Sequence, residues 1–251
     1  MNFELSTRRS FLKASRTSLV AASVAGLTLS NCGTTPASTG AGGTTPTSTG
    51  AVKTLSAASN DPLQRLLEGN VRFQTGAVTR PDQTLARRAA LAQKQSPFAI
   101  IFSCVDSRVP PELVFDQGLG DLFIIRTAAH VLDSASLGSL EFGVAELHIP
   151  LLMVLGHERC GAVGATITAI DSHEEPPGSI KTLVDYIRPS VLAAQGTGAV
   201  RTDNAVRLNV SNTVQHLRQS TIMNTAEKSG KLTIVGARYD LDTGGVSIIT
   251  H

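Results

Sequence analysis

Two cysteines, a histidine, and a carboxylate beside a guanidinium are spaced in this chain so that they can do metal chemistry. Cys104-Val105-Asp106-Ser107-Arg108 follows the apolar run Phe98-Ala99-Ile100-Ile101-Phe102, and His157-Glu158-Arg159-Cys160 follows Leu151-Leu152-Met153-Val154-Leu155-Gly156. Both runs read as buried parallel strands, and each delivers a soft ligand at its carboxyl end, where open α/β sheets place their sites. Two thiolates and one imidazole leave zinc an open fourth position for water, the arrangement of a catalytic rather than a structural ion. Zinc lowers the pKa of such a water to about 7, which suits hydrolysis or hydration. Asp106 and Arg108 stand two apart, close enough for the guanidinium to grip the carboxylate and fix its direction. A disulfide between the cysteines is the competing reading, but it leaves the His157-x-x-Cys160 spacing unexplained.

The elements that must position these residues can be read in order. Asp61-Pro62 has the form of an N-cap followed by proline at the first helical position, and leucines at helical spacing follow, needing a surface to cover. A second helix is expected over 84–95 and a short one over 112–116. A strand is expected over 121–126, then a helix over 136–147 with Leu137, Leu140, Val144 and Leu147 on one face. That helix leads into the strand ending at His157. Cys160-Gly161-Ala162-Val163 opens another helix, 171–178 is a polar loop, and helices are expected over 179–194 and 203–223. A strand over 231–237 and a hairpin over 239–249, turned at Asp242-Thr243-Gly244-Gly245, close the chain. Strands alternating with helices imply a parallel α/β sheet with right-handed crossovers.

Composition agrees with one large domain. Of 251 residues, 41% are hydrophobic but only 4% aromatic, with no Trp, so the core is built from aliphatic side chains. Residues 1–32 carry Arg8, Arg9, Lys13 and Arg16 against Glu4, so the formal charge of +2 becomes −1 without them. No basic patch points to nucleic acid.

The amino-terminal segments read as targeting rather than fold. Thr7-Arg8-Arg9-Ser10-Phe11-Leu12-Lys13 precedes a short apolar stretch over 19–29, the order of a twin-arginine export signal. Leu29-Ser30-Asn31-Cys32-Gly33 resembles a bacterial lipobox in which Cys32 becomes lipidated, although Asn31 replaces the usual small residue. Residues 33–59 are Gly, Thr, Ser, Pro and Ala with almost no charge, a flexible tether. The expected organisation is therefore a signal over 1–32, a linker over 33–59 and a catalytic domain over 60–251. The expected location is beyond the cytoplasmic membrane, in a periplasm or thylakoid lumen, with a candidate lipid anchor.

Four ordered blocks carry a family resemblance: Cys104-x-Asp106-Ser107-Arg108, Phe115-Asp116-Gln117-Gly118-x-Gly120-Asp121, Ser139-Leu140-Glu141-Phe142, and Gly156-His157-x-x-Cys160-Gly161-Ala162-Val163. Together with Gly236-Ala237-x-Tyr239-Asp240 they resemble the β-class carbonic anhydrases over about 61–249. The resemblance implies a mostly parallel central β-sheet flanked by helices, with an antiparallel C-terminal edge strand. It implies a zinc lyase that interconverts carbon dioxide and bicarbonate, with Cys104, His157 and Cys160 as ligands and Asp106 and Arg108 as the catalytic dyad. In the family this pair holds the aspartate off the metal, although in some members the aspartate replaces the water and closes the site.

Substrate-side residues implied by the resemblance are Gln95, Phe123, Phe142 and Gly161, partly across the interface of a homodimer or higher homo-oligomer. Phe142 stands where many members have Tyr. Ala128-Ala129-His130 stands where Ala-Gly-Asn is common. His130 carries an imidazole able to assist proton transfer, read here as a substituted surface or packing histidine; His148, His173 and His216 read as solvated. A subclass that binds inhibitory bicarbonate uses a tryptophan, and this chain has none. The competing functions are hydrolysis of carbon disulfide or carbonyl sulfide on the same ligand pattern, and a non-catalytic zinc-binding surface lipoprotein.

Overall fold

A computed structural model of the chain describes residues 60–251. The readings of 1–32 as a signal with a lipobox and of 33–59 as a tether lie outside the described residues. Strands β1 (Ala99–Cys104), β2 (Leu122–Thr127), β3 (Leu151–His157), β4 (Thr233–Tyr239) and β5 (Val246–Thr250) form one sheet in the order β2-β1-β3-β4-β5. β1 to β4 are parallel and β5 is antiparallel to β4, as expected from the sequence. Eight α-helices accompany the sheet among the described residues: α1 (Pro62–Gln74), α2 (Leu85–Leu91), α3 (Pro111–Val114), α4 (Ser134–Ala145), α5 (Gly161–Ser172), α6 (Ile180–Ala193), α7 (Gly198–Leu217) and α8 (Thr221–Lys228).

Side-chain alternation divides the sheet into two buried faces. Ile100 and Phe102 of β1 with Leu152 and Val154 of β3 point to one face, where Leu140 of α4, Val210 and Val214 of α7 and Met223 of α8 cover them. Ile101 of β1 with Leu151, Met153 and Leu155 of β3 point to the other, against Leu66 of α1 and Val114 of α3. β1 and β3 are buried along their whole length while every residue of β2 is only half-buried. β2 is an edge strand with an apolar sequence.

The chain leaves β1 to form β2 on one side and returns through α4 to form β3 on the other. The crevice at the carboxyl ends of β1 and β3 is therefore a topological switch point, the place where such sheets bind ligands.

Local chemistry sets the element ends. Asp61, Thr84 and Asp133 accept the amides of Leu63, Arg87 and Ser136 and so start α1, α2 and α4. The second helix ends at Leu91 rather than continuing to Gln95, because Gln93, Lys94 and Gln95 are exposed with no apolar face to bury and Pro97 disfavours helix at the residue before it. The helix expected over 203–223 is two helices. Ser220 breaks it by capping Met223 N at 3.4 Å, and Asn224 Nδ2 donates to Arg218 O at 3.1 Å.

Of the leucines of α1, Leu66 is fully buried within its own chain and Leu63 and Leu67 are half-buried. Asn70 locks the helix in place: its Nδ2 donates to Val114 O at 3.0 Å and Gly244 O at 2.8 Å, and its Oδ1 accepts from Val246 N at 2.8 Å. One amide thus ties α1, α3 and the C-terminal hairpin. Asn70→Ala leaves these backbone groups unpaired in a buried place and is expected to cost about 3 kcal/mol. In a domain of this size that lowers the melting temperature by roughly 6–12 °C, which calorimetry of the variant beside wild type would measure.

Candidate metal centre

Cys104 is the last residue of β1, His157 the last of β3, and Cys160 the N-cap of α5. Their sulfurs and imidazole nitrogen lie within 4.8 Å of one another, and all three residues are buried. No disulfide joins the two cysteines. The His157 tautomer follows from one contact. Nδ1 lies 2.9 Å from the carbonyl oxygen of Glu158, which can only accept, so Nδ1 carries the proton and Nε2 presents a lone pair.

That Nε2 is buried without a hydrogen-bond partner and lies 3.8 Å from Oδ2 of Asp106. A lone pair without a partner, two sulfurs and a nearby carboxylate oxygen therefore converge on one spot. A buried acceptor without a partner is costly, and a cation is the group that satisfies the imidazole nitrogen and both sulfurs at once. Two Cys and one His are a zinc set, and the Nδ1–carbonyl contact is the outer support that orients a ligating histidine.

The protonation of the pair follows from the same crowding. The thiol of Cys160 donates toward Cys104 and holds that sulfur below the usual thiol range, against its burial, while the amide of Ala129 assists. Cys160 is pushed up by the same hydrogen bond, by burial and by the charge on Cys104, and the amides of Val163 and Ala162 at the start of α5 pull the other way.

Asp106 and Arg108 form the expected pair. Nε of Arg108 donates to Oδ1 at 2.9 Å and Nη2 to Oδ2 at 2.8 Å, and the Arg108 amide donates to Oδ1 at 2.9 Å. The side-chain hydrogen bond from Arg108, which outweighs burial, holds the carboxyl far below the usual carboxylate range. Asp106 is an acceptor-only group turned to the ligand cluster.

The three ligands line one tight recess together with Ala129, His130, Val206 and Asn209. His130 is no surface residue: it is buried, its Nδ1 lies 3.3 Å from Thr213 Oγ1, and burial pushes its imidazole down to about 4, so it is neutral at pH 7. Ala129 and His130 both adopt left-handed backbone, with φ of 49° and 45°, which Gly and Asn tolerate better. This turn aims the Ala129 amide at Cys104 Sγ, 3.2 Å away, and Asn209 Nδ2 holds the Ala129 carbonyl at 3.0 Å. Asn209 was not singled out from the sequence; it is one polar residue within an amphipathic helix and acquires its role only when α7 crosses the sheet.

The four substrate-side residues do not line this recess in the single chain. Gln95 is exposed, Phe123 lies on β2 against α4, Phe142 is 49% exposed on α4, and Gly161 is exposed at the start of α5. Glu158, Asp240 and Asp242 form a second acidic cluster, already neutralised by Arg159 and Arg238.

Comparison with known proteins bears on this geometry directly. The family model described as carbonic anhydrase matches residues 99–246. A carbonic anhydrase of Mycolicibacterium smegmatis is 44% identical over 187 residues, spanning 74% of this chain and 91% of that protein. The chain belongs to the carbonic anhydrase family. Carbonic anhydrase 2 of Mycobacterium tuberculosis is 45% identical over 187 residues, again 74% of this chain and 90% of the relative. Among solved structures, a Coccomyxa β-carbonic anhydrase in complex with acetazolamide superposes with a TM-score of 0.60 at 26% identity, over 76% of this chain and 87% of that one. The chain is thus a β-class carbonic anhydrase, a lyase, and its ligand cluster and dyad fall within the matched segment.

Proposed function

We propose that the chain interconverts carbon dioxide and bicarbonate at a zinc ion held by Cys104, His157 and Cys160. The observation that carries this reading is the convergence of three buried ligand atoms, one of them without a hydrogen-bond partner, beside the Asp106 carboxylate. Zinc in such a set supplies a hydroxide nucleophile from water at neutral pH. With the ion bound, Asp106, ionised and held on two edges by Arg108, would accept the hydrogen of an oxygen at that spot and so direct it toward the substrate. Arg108 keeps both carboxylate oxygens occupied, so Asp106 is restrained from becoming a fourth ligand. The apolar residues behind the ligands keep bulk water from competing for the sulfurs.

Three variants separate metal binding from turnover. Cys160→Ser is expected to lose both metal and activity, since two protein ligands remain with a weak hydroxyl. Asp106→Asn and Arg108→Ala keep the ligands, so each should retain about one metal per chain while hydration falls on the order of 10–100-fold. Metal analysis and carbon dioxide hydration assays on the same samples decide the matter; near-normal hydration in both dyad variants would overturn it.

We further propose that two or more copies associate through the β2 edge. A half-exposed apolar edge strand presents unpaired backbone groups, and Phe142 on the neighbouring α4 adds exposed apolar surface. In that arrangement Gln95, Phe123, Phe142 and Gly161 line the approach of substrate to the zinc of one copy or the other. Sedimentation of the purified protein is expected to give a dimer or larger assembly, and a fully active monomer would refute it.

Export is proposed on the Arg8-Arg9 pattern, with lipidation at Cys32 and residence in a periplasm or lumen. No helix among the described residues is long and apolar enough to cross a membrane. Replacing Arg8 and Arg9 by Lys should leave the precursor in the cytoplasm, and Cys32→Ser should move exported protein from the membrane to the soluble fraction, as fractionation and immunoblotting would show.

A further inference from the structure

The loop over 105–110 carries both members of the dyad yet has little packing of its own. Val105, Ser107 and Arg108 are exposed, and Asp106 is only partly buried. Its position is instead set from β2. Arg126 Nε donates to Cys104 O at 2.9 Å, and its Nη2 donates to Asp106 O at 2.7 Å and to Val109 O at 3.3 Å. Next to it, Thr127 O accepts the Val105 amide at 3.1 Å. One guanidinium thus grips the loop where it leaves β1, at the dyad carboxylate's own backbone, and where it re-enters the core at buried Val109.

Among the described residues no carboxylate lies within ion-pair distance of Arg126. Hydrogen bonds from an ionised donor are stronger and more directional than neutral ones, and three of them converging from a strand are a rigid mount for an otherwise exposed turn.

We propose that Arg126 is a positioning residue: it fixes the Cys104–Val109 backbone so that the Asp106–Arg108 pair stands beside the ligand cluster instead of collapsing onto it. This rests on the zinc-site reading above. Arg126 touches no reacting atom, and its effect passes through the direction of Asp106.

The test uses the full chain loaded with zinc for turnover and with cobalt(II) for spectroscopy, since the visible absorption of cobalt reports its fourth ligand. Arg126→Ala should bind about one metal per chain and lose roughly 10–100-fold in kcat, with a smaller change in KM. Its cobalt spectrum should move to that of Arg108→Ala as Asp106 enters the coordination sphere. Millimolar guanidinium should restore both the spectrum and turnover, which a folding defect would not permit, and Arg126→Gln should fall between wild type and Arg126→Ala.

Wild-type spectra and turnover in Arg126→Ala and Arg126→Gln would overturn the proposal. So would turnover lost only in proportion to metal, without rescue by guanidinium, or failure of both variants to fold, since each makes the residue merely structural. The cobalt comparison does not depend on hydration, so inactivity of the wild-type protein would sink the functional reading while leaving the mount testable.

Discussion

The parallel pairing of β1 with β3 is the constraint on which the site depends. Ile100 lies opposite Leu152 and Ser103 opposite Leu155, and continuing that register brings Cys104 level with Gly156, one residue before His157. A slip by one residue would send every side chain of a strand to the opposite face, parting the sulfur from the imidazole. Burial on both faces prevents it, because each face of β1 and β3 has its own aliphatic cluster. Gly156 itself is dictated by the same packing: a Cβ there would meet a methyl of Val210 at 2.5 Å. The close seat of α7 on the sheet, which brings Asn209 to the Ala129 carbonyl, requires a residue without a side chain.

Much of this arrangement is legible in the sequence, since its signals are local. Asp61-Pro62 marks a helix start, continuous aliphatic runs mark strands buried on both faces, and a ligand directly after such a run lies at the sheet's carboxyl edge. What the sequence hides is non-local. The Ser220 cap that splits α7 from α8 acts within an otherwise continuous helical pattern, and its hydroxyl is also held by Glu141 at 2.6 Å, from 79 residues away. Arg126 reads as the polar end of a strand because its partners are carbonyls, which every residue has and no pattern of side chains reveals. Gln95, Phe123 and Phe142 rest on family resemblance alone, and in the single chain they lie apart from the ligand cluster.

The turn at Ala129 and His130 shows the local cost of building the ligand environment. Left-handed backbone at a non-glycine residue costs about 1–2 kcal/mol, and here two consecutive residues adopt it. The return is the amide at 3.2 Å from Cys104 Sγ, a donor on a buried anionic sulfur where a side-chain donor would need space that the recess lacks. His130 then does in packing what its pKa forbids in titration. Its ring meets Phe102 edge-on with centroids 6.1 Å apart and closes the back of the site as a neutral group.

The dyad follows a different logic. Arg108 is about half exposed and Asp106 is open to water on one side, so their ion pair adds little to stability, as exposed pairs generally do. Its geometry is nevertheless more constrained than a stabilising contact requires: two side-chain donors and one backbone amide engage a single carboxylate, and the Asp106 backbone is itself gripped by a second arginine. Restraint without stabilisation has a chemical reading. A carboxylate 3.8 Å from His157 Nε2 is near enough to become a ligand itself, and a ligand in the fourth position would shut out water. In the function proposed above, two arginines acting on the two ends of one residue would keep that carboxylate beside the cation without letting it bind, so that it orients the nucleophile without replacing it.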